Sequence, residues 1–206
     1  IWAKKALAEA NRIGDGAAAW DDSSNGFKSV PGDGDYSVRD DAEYLHYTSN
    51  NTLFGTQFNL LPDSNGKPRV VDASSDICGA HLDVSKHDLI YAGAQKNLGP
   101  SGVTVVILSP WAASRGKEGL PTMLDYQTHI SKGSMFNTPN TYGIFVLDKV
   151  LSWVERNGGL DGAIRRNQKK SGLIYDMLDG SDFWRPHAEV GSRSMMNVTW
   201  RPADEG

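Results

Sequence analysis

The sequence predicts an α/β fold with a mixed, mostly parallel sheet flanked by helices, and three observations predict it. Short apolar runs at 44–47, 69–73 and 89–93 each end in small or polar residues. That is the pattern of buried strands delivering their C-terminal ends to one edge of a sheet. A β-branched run at 103–108 follows the turn Gly99-Pro100-Ser101-Gly102, which predicts a further strand returning antiparallel beside the third. Helical periodicity then dominates: 141–156 carries Ile144, Leu147, Leu151 and Val154 on one face before the stop Asn157-Gly158-Gly159.

The flanking elements are read in the same way. Residues 2–11 place Ala3, Ala6, Leu7 and Ala10 at helical spacing among good helix formers. From 14 to 41 the chain is rich in Gly, Asp and Ser around Val30-Pro31-Gly32, so this stretch is expected to be mostly loop. A long charged helix is expected over 160–178, with Ile164, Leu173, Ile174 and Met177 available for packing. Residues 195–200 read as a strand that opens a small α+β C-terminal domain. The expected division is 1–158 for a large domain and 159–206 for a connecting helix and the start of the small one. Ile1 is not an initiator residue and the chain stops in a polar tail, so an incomplete chain is expected.

Composition excludes several classes. With 39% hydrophobic and 22% charged residues over 206 positions, the chain can bury a core and is not of disordered type. A formal charge of −4 and a pI of about 5.7 give no general attraction for nucleic acid or anionic membrane. Cys78 is the single cysteine, which rules out an internal disulfide and fits a reducing, cytoplasmic setting. No stretch reaches the roughly 18 apolar residues of a membrane span. The five histidines show no metal-ligand spacing, and no P-loop, G-x-S-x-G elbow or dinucleotide fingerprint is present.

Three places carry candidate chemistry. In Tyr91-Ala92-Gly93-Ala94-Gln95-Lys96-Asn97 a lysine stands just past a buried strand among small residues. A lysine amine is nucleophilic only when deprotonated, which a desolvated niche favours; by local sequence alone, a solvated loop lysine is the commoner case. Asp72 ends the run 69–73, where a carboxylate could hold a pyridine nitrogen protonated or simply cap its own turn. Asn137-Thr138-Pro139, ahead of the helix at 141–156, suits either a phosphate or a helix cap.

Taken together, several segments in order resemble the phosphoserine aminotransferases, a class V family of fold-type I enzymes that use pyridoxal 5'-phosphate (PLP). They are His81-Leu82-Asp83-Val84-Ser85 through Asn97, then Gly133-Ser134-Met135-Phe136-Asn137-Thr138-Pro139, and Arg193-Ser194-Met195-Met196-Asn197-Val198. The resemblance implies the fold-type I large domain and a Schiff base between Lys96 and the cofactor. It pairs Asp72 with the pyridinium nitrogen, and stacks Trp2, in Trp2-Ala3-Lys4-Lys5-Ala6, on the ring. Read without the family, Trp2 is a core residue of the first helix. Thr52 matches a threonine that hydrogen-bonds the cofactor, and Gln95 a contact on its phosphate side. Asn137 and Thr138 match residues that reach the cofactor phosphate of a neighbouring subunit, which implies a homodimer. Asn51 stands where the family usually has Glu.

The implied reaction moves an amino group between L-glutamate and 3-phosphohydroxypyruvate, giving 2-oxoglutarate and O-phospho-L-serine. The family's glycine-rich phosphate segment and its substrate-binding arginines and histidine map to no position of this chain, so the chain alone is expected to be a poor catalyst. The alternatives are another class V aminotransferase or lyase, or an inert fragment that keeps the fold and dimer surface.

Overall fold

The computed structural model describes residues 1–116 and 118–203. Helix α1 (Trp2–Ala10) opens the chain and rests beside strand β1 (Leu45–Thr48), with a loop and one 3-10 turn between them. A small antiparallel hairpin, β2 (Asn50–Asn51) and β3 (Thr56–Gln57), follows at once. Then come β4 (Arg69–Asp72), β5 (Leu89–Gly93) and β6 (Thr104–Leu108). The sheet order is β1-β4-β5-β6, with the first two pairings parallel and β5–β6 antiparallel. The returning strand is therefore where the Gly99–Gly102 turn led us to expect it.

Alternation decides which side of this sheet is buried. Tyr47, Val71, Ile90 and Ala92 share one face and are buried, with Phe58, Ile77 and Leu82 packed beneath. Burying Val71 and Ile90 contributes about 1.5–3 kcal/mol each. His46, Thr48, Asp72 and Tyr91 take the opposite face by the same alternation, and they are only half-buried.

Beyond the sheet lie α2 (Pro110–Ser114), α3 (Tyr126–Ser131), α4 (Thr141–Arg156) and α5 (Gly159–Asp179). Strands β7 (Trp184–Pro186) and β8 (Trp200–Pro202) close the chain as an antiparallel pair. Among the described residues no helix is long and apolar enough to cross a membrane.

Four expectations need correction. In α4 the inward stripe is Gly143, Leu147, Val150 and Val154, while Ile144 and Leu151 are exposed. In α5 the buried residues include Ile164, Tyr175 and Leu178, whereas Leu173, Ile174 and Met177 face outward. Trp2 is 48% exposed and α1 buries nothing, so Trp2 is not a core residue. Finally, 195–199 is no strand. Its backbone N–H groups are taken by side chains instead of a ladder: Gln57 Oε1 accepts from Met195 N, and Ser194 Oγ accepts from the N–H groups of Met196 and Asn197.

Candidate active site

The parallel strands β4 and β5 end side by side, at the edge where α/β sheets place ligands. Asp72 is the last residue of β4, in register with Thr48 on one neighbour and Tyr91 on the other. Lys96 lies in the turn just past β5. The two strand-end loops are tied together: Gly93 N donates to Ser74 Oγ at 3.1 Å, and Asn97 Nδ2 donates to the Ile77 carbonyl at 2.7 Å. Asp72 Oδ1 accepts from Ser74 N at 3.0 Å, so the carboxylate also braces its own turn.

Thr52 arrives from the β2–β3 hairpin. Its turn closes with Gly55 N donating to the Asn51 carbonyl, and Lys96 Nζ donates to Thr52 Oγ1 at 3.3 Å. An amine and a hydroxyl distant in sequence thus meet beside the strand ends. Lys96 is exposed, so the desolvated niche looked for from sequence is not built by the described residues alone. Gln95 is exposed too, its amide folded back over Gly93.

The wall behind Asp72 escaped the sequence reading, which weighed the histidines only as metal ligands. His46 Nε2 and the Tyr91 hydroxyl lie 2.9 Å apart on the same sheet face as Asp72. Burial pushes the His46 imidazole below its usual range, with the Asp72 charge opposing. Burial, helped by that same charge, pushes the Tyr91 phenol up. Thr48 Oγ1 is buried with no hydrogen-bond partner among the described residues. Period-2 alternation through His46, Thr48, Asp72 and Tyr91 is the signal that would have found this row.

Asn137 and Thr138 are exposed, and among the described residues Asn137 Nδ2 bonds locally, to the Thr138 carbonyl. They do not cap α4; Asn140 does, its Oδ1 accepting from Gly143 N at 3.0 Å. Trp2 lies on α1 with Lys5 Nζ over its ring. A cleft of about 570 Å³ at β7 and β8, lined by Lys28, Arg185, His187 and Arg201 among others, contains none of these site residues. Cavity size does not mark the site here because Lys96 stands on an open surface.

Known proteins match this sequence and fold. Residues 32–205 match the sequence profile of aminotransferase class-V. The chain belongs to the class-V aminotransferase family. This class-V chain is 46% identical over 205 residues to the phosphoserine aminotransferase of Lysinibacillus sphaericus, covering 99% of the chain and 57% of that protein. It is 48% identical to the enzyme of that name from Desulfotalea psychrophila, covering 97% of the chain and 55% of the relative. The solved phosphoserine aminotransferase of Bacillus circulans subsp. alkalophilus superposes with a TM-score of 0.95 at 45% identity, over 100% of this chain and 57% of that one. A PLP-bound phosphoserine aminotransferase from Trichomonas vaginalis gives a TM-score of 0.87 at 28% identity, over 99% and 61%. The class-V chain thus spans a little over half the length of the relatives it matches.

Proposed function

We propose that this chain forms the cofactor-binding part of a PLP-dependent aminotransferase acting on L-glutamate and 3-phosphohydroxypyruvate. The observation that carries the reading is the Lys96 Nζ to Thr52 Oγ1 contact beside the end of the Asp72 strand. The donor set suits a pyridoxal ring: an amine for its aldehyde, a hydroxyl for its phenolic oxygen, a carboxylate for its ring nitrogen. Thr48 Oγ1, in register with Asp72 and buried without a hydrogen-bond partner among the described residues, supports a polar group being accommodated there. The relatives' shared name, phosphoserine aminotransferase, supports the substrate pair.

When bound, PLP supplies an electron sink for negative charge developing at a substrate carbon. In this reading Lys96 Nζ is the amine that would hold the cofactor through its aldehyde carbon. As a free amine it would move the proton between the substrate α-carbon and the cofactor carbon that carried the aldehyde. Thr52 Oγ1 fixes the direction from which Nζ approaches. Asp72 holds a proton on the ring nitrogen, and Trp2 and Gln95 position the ring and its phosphate side.

Asn137 and Thr138, exposed here, would reach the cofactor phosphate in a partner subunit, so the assembly is a homodimer. The cofactor-binding part would run to residue 158, with 159–206 leading into the small domain, and the address would be cytoplasmic. Because Lys96 and Trp2 are open to water, we infer that the 206-residue chain turns over poorly on its own.

The test uses the full-length protein loaded with PLP. Borohydride reduction and peptide mapping should leave the pyridoxyl group on Lys96; an adduct on another lysine removes the assignment. Activity should favour the phosphorylated keto acid over unphosphorylated ones, and the reverse order would point to a different class-V substrate.

A further inference from the structure

The hairpin carrying Thr52 is held by a buried polar network that the proposed chemistry does not use. At its centre is Asn50, 1% exposed, two residues before Thr52. Asn50 Nδ2 donates to Ser75 Oγ at 2.9 Å and to Asn197 Oδ1 at 2.8 Å, and Asn50 Oδ1 accepts from Ser194 Oγ at 2.5 Å. Ser75 Oγ in turn donates to the Asn50 carbonyl at 2.8 Å. Ser194 is fully buried.

The proton arrangement here is determined. Ser194 Oγ already accepts from Met196 N and Asn197 N, so its hydrogen goes to Asn50 Oδ1. Ser75 spends its hydrogen on the Asn50 carbonyl, so it accepts from Nδ2. Both amide hydrogens and the amide oxygen of Asn50 are therefore engaged. The three elements it joins are the Thr52 hairpin, the turn after Asp72, and the distant segment 194–197.

Other contacts fasten the same join. Gln57, opposite Asn50 in the hairpin, accepts from Met195 N and donates to the buried Asp76, which also accepts from Ser49 Oγ at 2.5 Å. Ser194 N donates to the Gly55 carbonyl, and Thr199 Oγ1 donates to the Phe54 carbonyl at 2.8 Å. A buried network satisfied in this way is rigid, and losing one member strands the others.

We infer that Asn50 is a positioning residue, which sets Thr52 Oγ1 against Lys96 Nζ and makes segment 194–197 a structural support of the cofactor site. The inference rests on the proposed PLP reading. It assigns to residues far from Lys96 in sequence an effect on the chemistry of its amine. The route is geometric: without the amide, the hairpin loses its side-chain bonds to Ser75, Ser194 and Asn197 and is left with the backbone ones, so Thr52 Oγ1 is no longer held in place for the 3.3 Å contact.

The experiment is a pH titration of the visible absorbance of PLP bound to Lys96, in the full-length protein. Wild type, Asn50→Ala, Thr52→Val and the double variant are compared. Each single variant should move the midpoint by about half a pH unit or more, because the hydroxyl that the proposed reading sets on the phenolic oxygen, beside the titrating nitrogen, is lost or displaced. The double variant should match Thr52→Val alone, since Asn50 acts through Thr52. An unchanged midpoint in Asn50→Ala, or shifts that add in full, overturns the inference while leaving the PLP reading intact. If Asn50→Ala does not fold, Asn197→Ala removes one anchor and carries the same cycle with the same two outcomes. A wild-type protein with no cofactor adduct on Lys96 overturns both the reading and the inference.

Discussion

Lys96 Nζ reaches Thr52 Oγ1 across 44 positions of sequence, and this one contact joins the loop after β5 to the β2–β3 hairpin. A valine at position 52 keeps the shape and removes the hydroxyl. A single hydrogen bond of this kind contributes about 0.5–1.5 kcal/mol. In the proposed reading Thr52→Val should therefore slow half-transamination of the full-length protein about two- to tenfold, while Thr52→Ser stays near wild type. Stopped-flow absorbance measures both, and equal rates in the two variants would remove Thr52 from the site.

Asp72 separates charge from packing cleanly. Asparagine retains an oxygen for Ser74 N, so the turn after β4 should survive in Asp72→Asn. The negative charge, which in the proposed reading keeps the ring nitrogen protonated, is gone. The expected result is retained cofactor with half-transamination slowed about a hundredfold or more. Near-normal rates would show that the carboxylate is not the electronic partner of the ring.

The main elements of the fold were legible because each follows a local rule. Run 89–93 has the bounds of β5, run 69–73 overshoots β4 by one residue, and 141–156 is a helix with those bounds. What stayed hidden depends on partners far away in sequence. The apolar look of 195–200 suggested a strand, yet Gln57, 138 positions earlier, takes the N–H of Met195. The faces of α4 and α5 were misjudged because apolar residues occupy more than one side of each helix. Position 96 stands out locally as a lysine after a buried strand, whereas a four-residue hairpin is too short to show period 2. Thr52 therefore entered only through family resemblance, and the His46–Tyr91 wall did not enter at all.

His87 predicts an acid sensitivity of the fold. Its Nε2 lies 2.6 Å from the Tyr47 hydroxyl and its Nδ1 lies 2.8 Å from the Asp83 carbonyl. A neutral ring that donates from Nδ1 and accepts at Nε2 satisfies both. Burial holds the imidazole below its usual range, as it does for His46. On acidification the unfolded chain binds protons near pH 6.5 before the folded one does, so stability falls as pH drops below about 6.5. His87→Gln keeps an acceptor for Tyr47 without titrating, and should flatten the dependence between about pH 7 and pH 5 in urea unfolding. An unaltered slope would mean that His87 takes up protons equally in the folded and unfolded chain, so that burial does not hold it neutral.

Two glycines with similar backbones separate local strain from close packing. Gly55 and Gly66 have φ of +67° and +74°, where an L residue costs about 1–2 kcal/mol. Around Gly66 an added Cβ meets nothing within 4 Å. At Gly55 it would lie 2.6 Å from Thr199 Oγ1 and 2.8 Å from the Asn197 carbonyl oxygen, and a backbone carbonyl cannot swing away as a long side chain can. Gly66→Ala should therefore lose only the strain, about 1–2 kcal/mol. Gly55→Ala should lose that and about 1–3 kcal/mol more, as overpacking does. It should also loosen the hairpin from segment 197–199, so the Thr52 contact weakens along with the fold. Urea unfolding of the two variants side by side reads the difference. Equal losses would show that the hairpin and that segment are free to move apart.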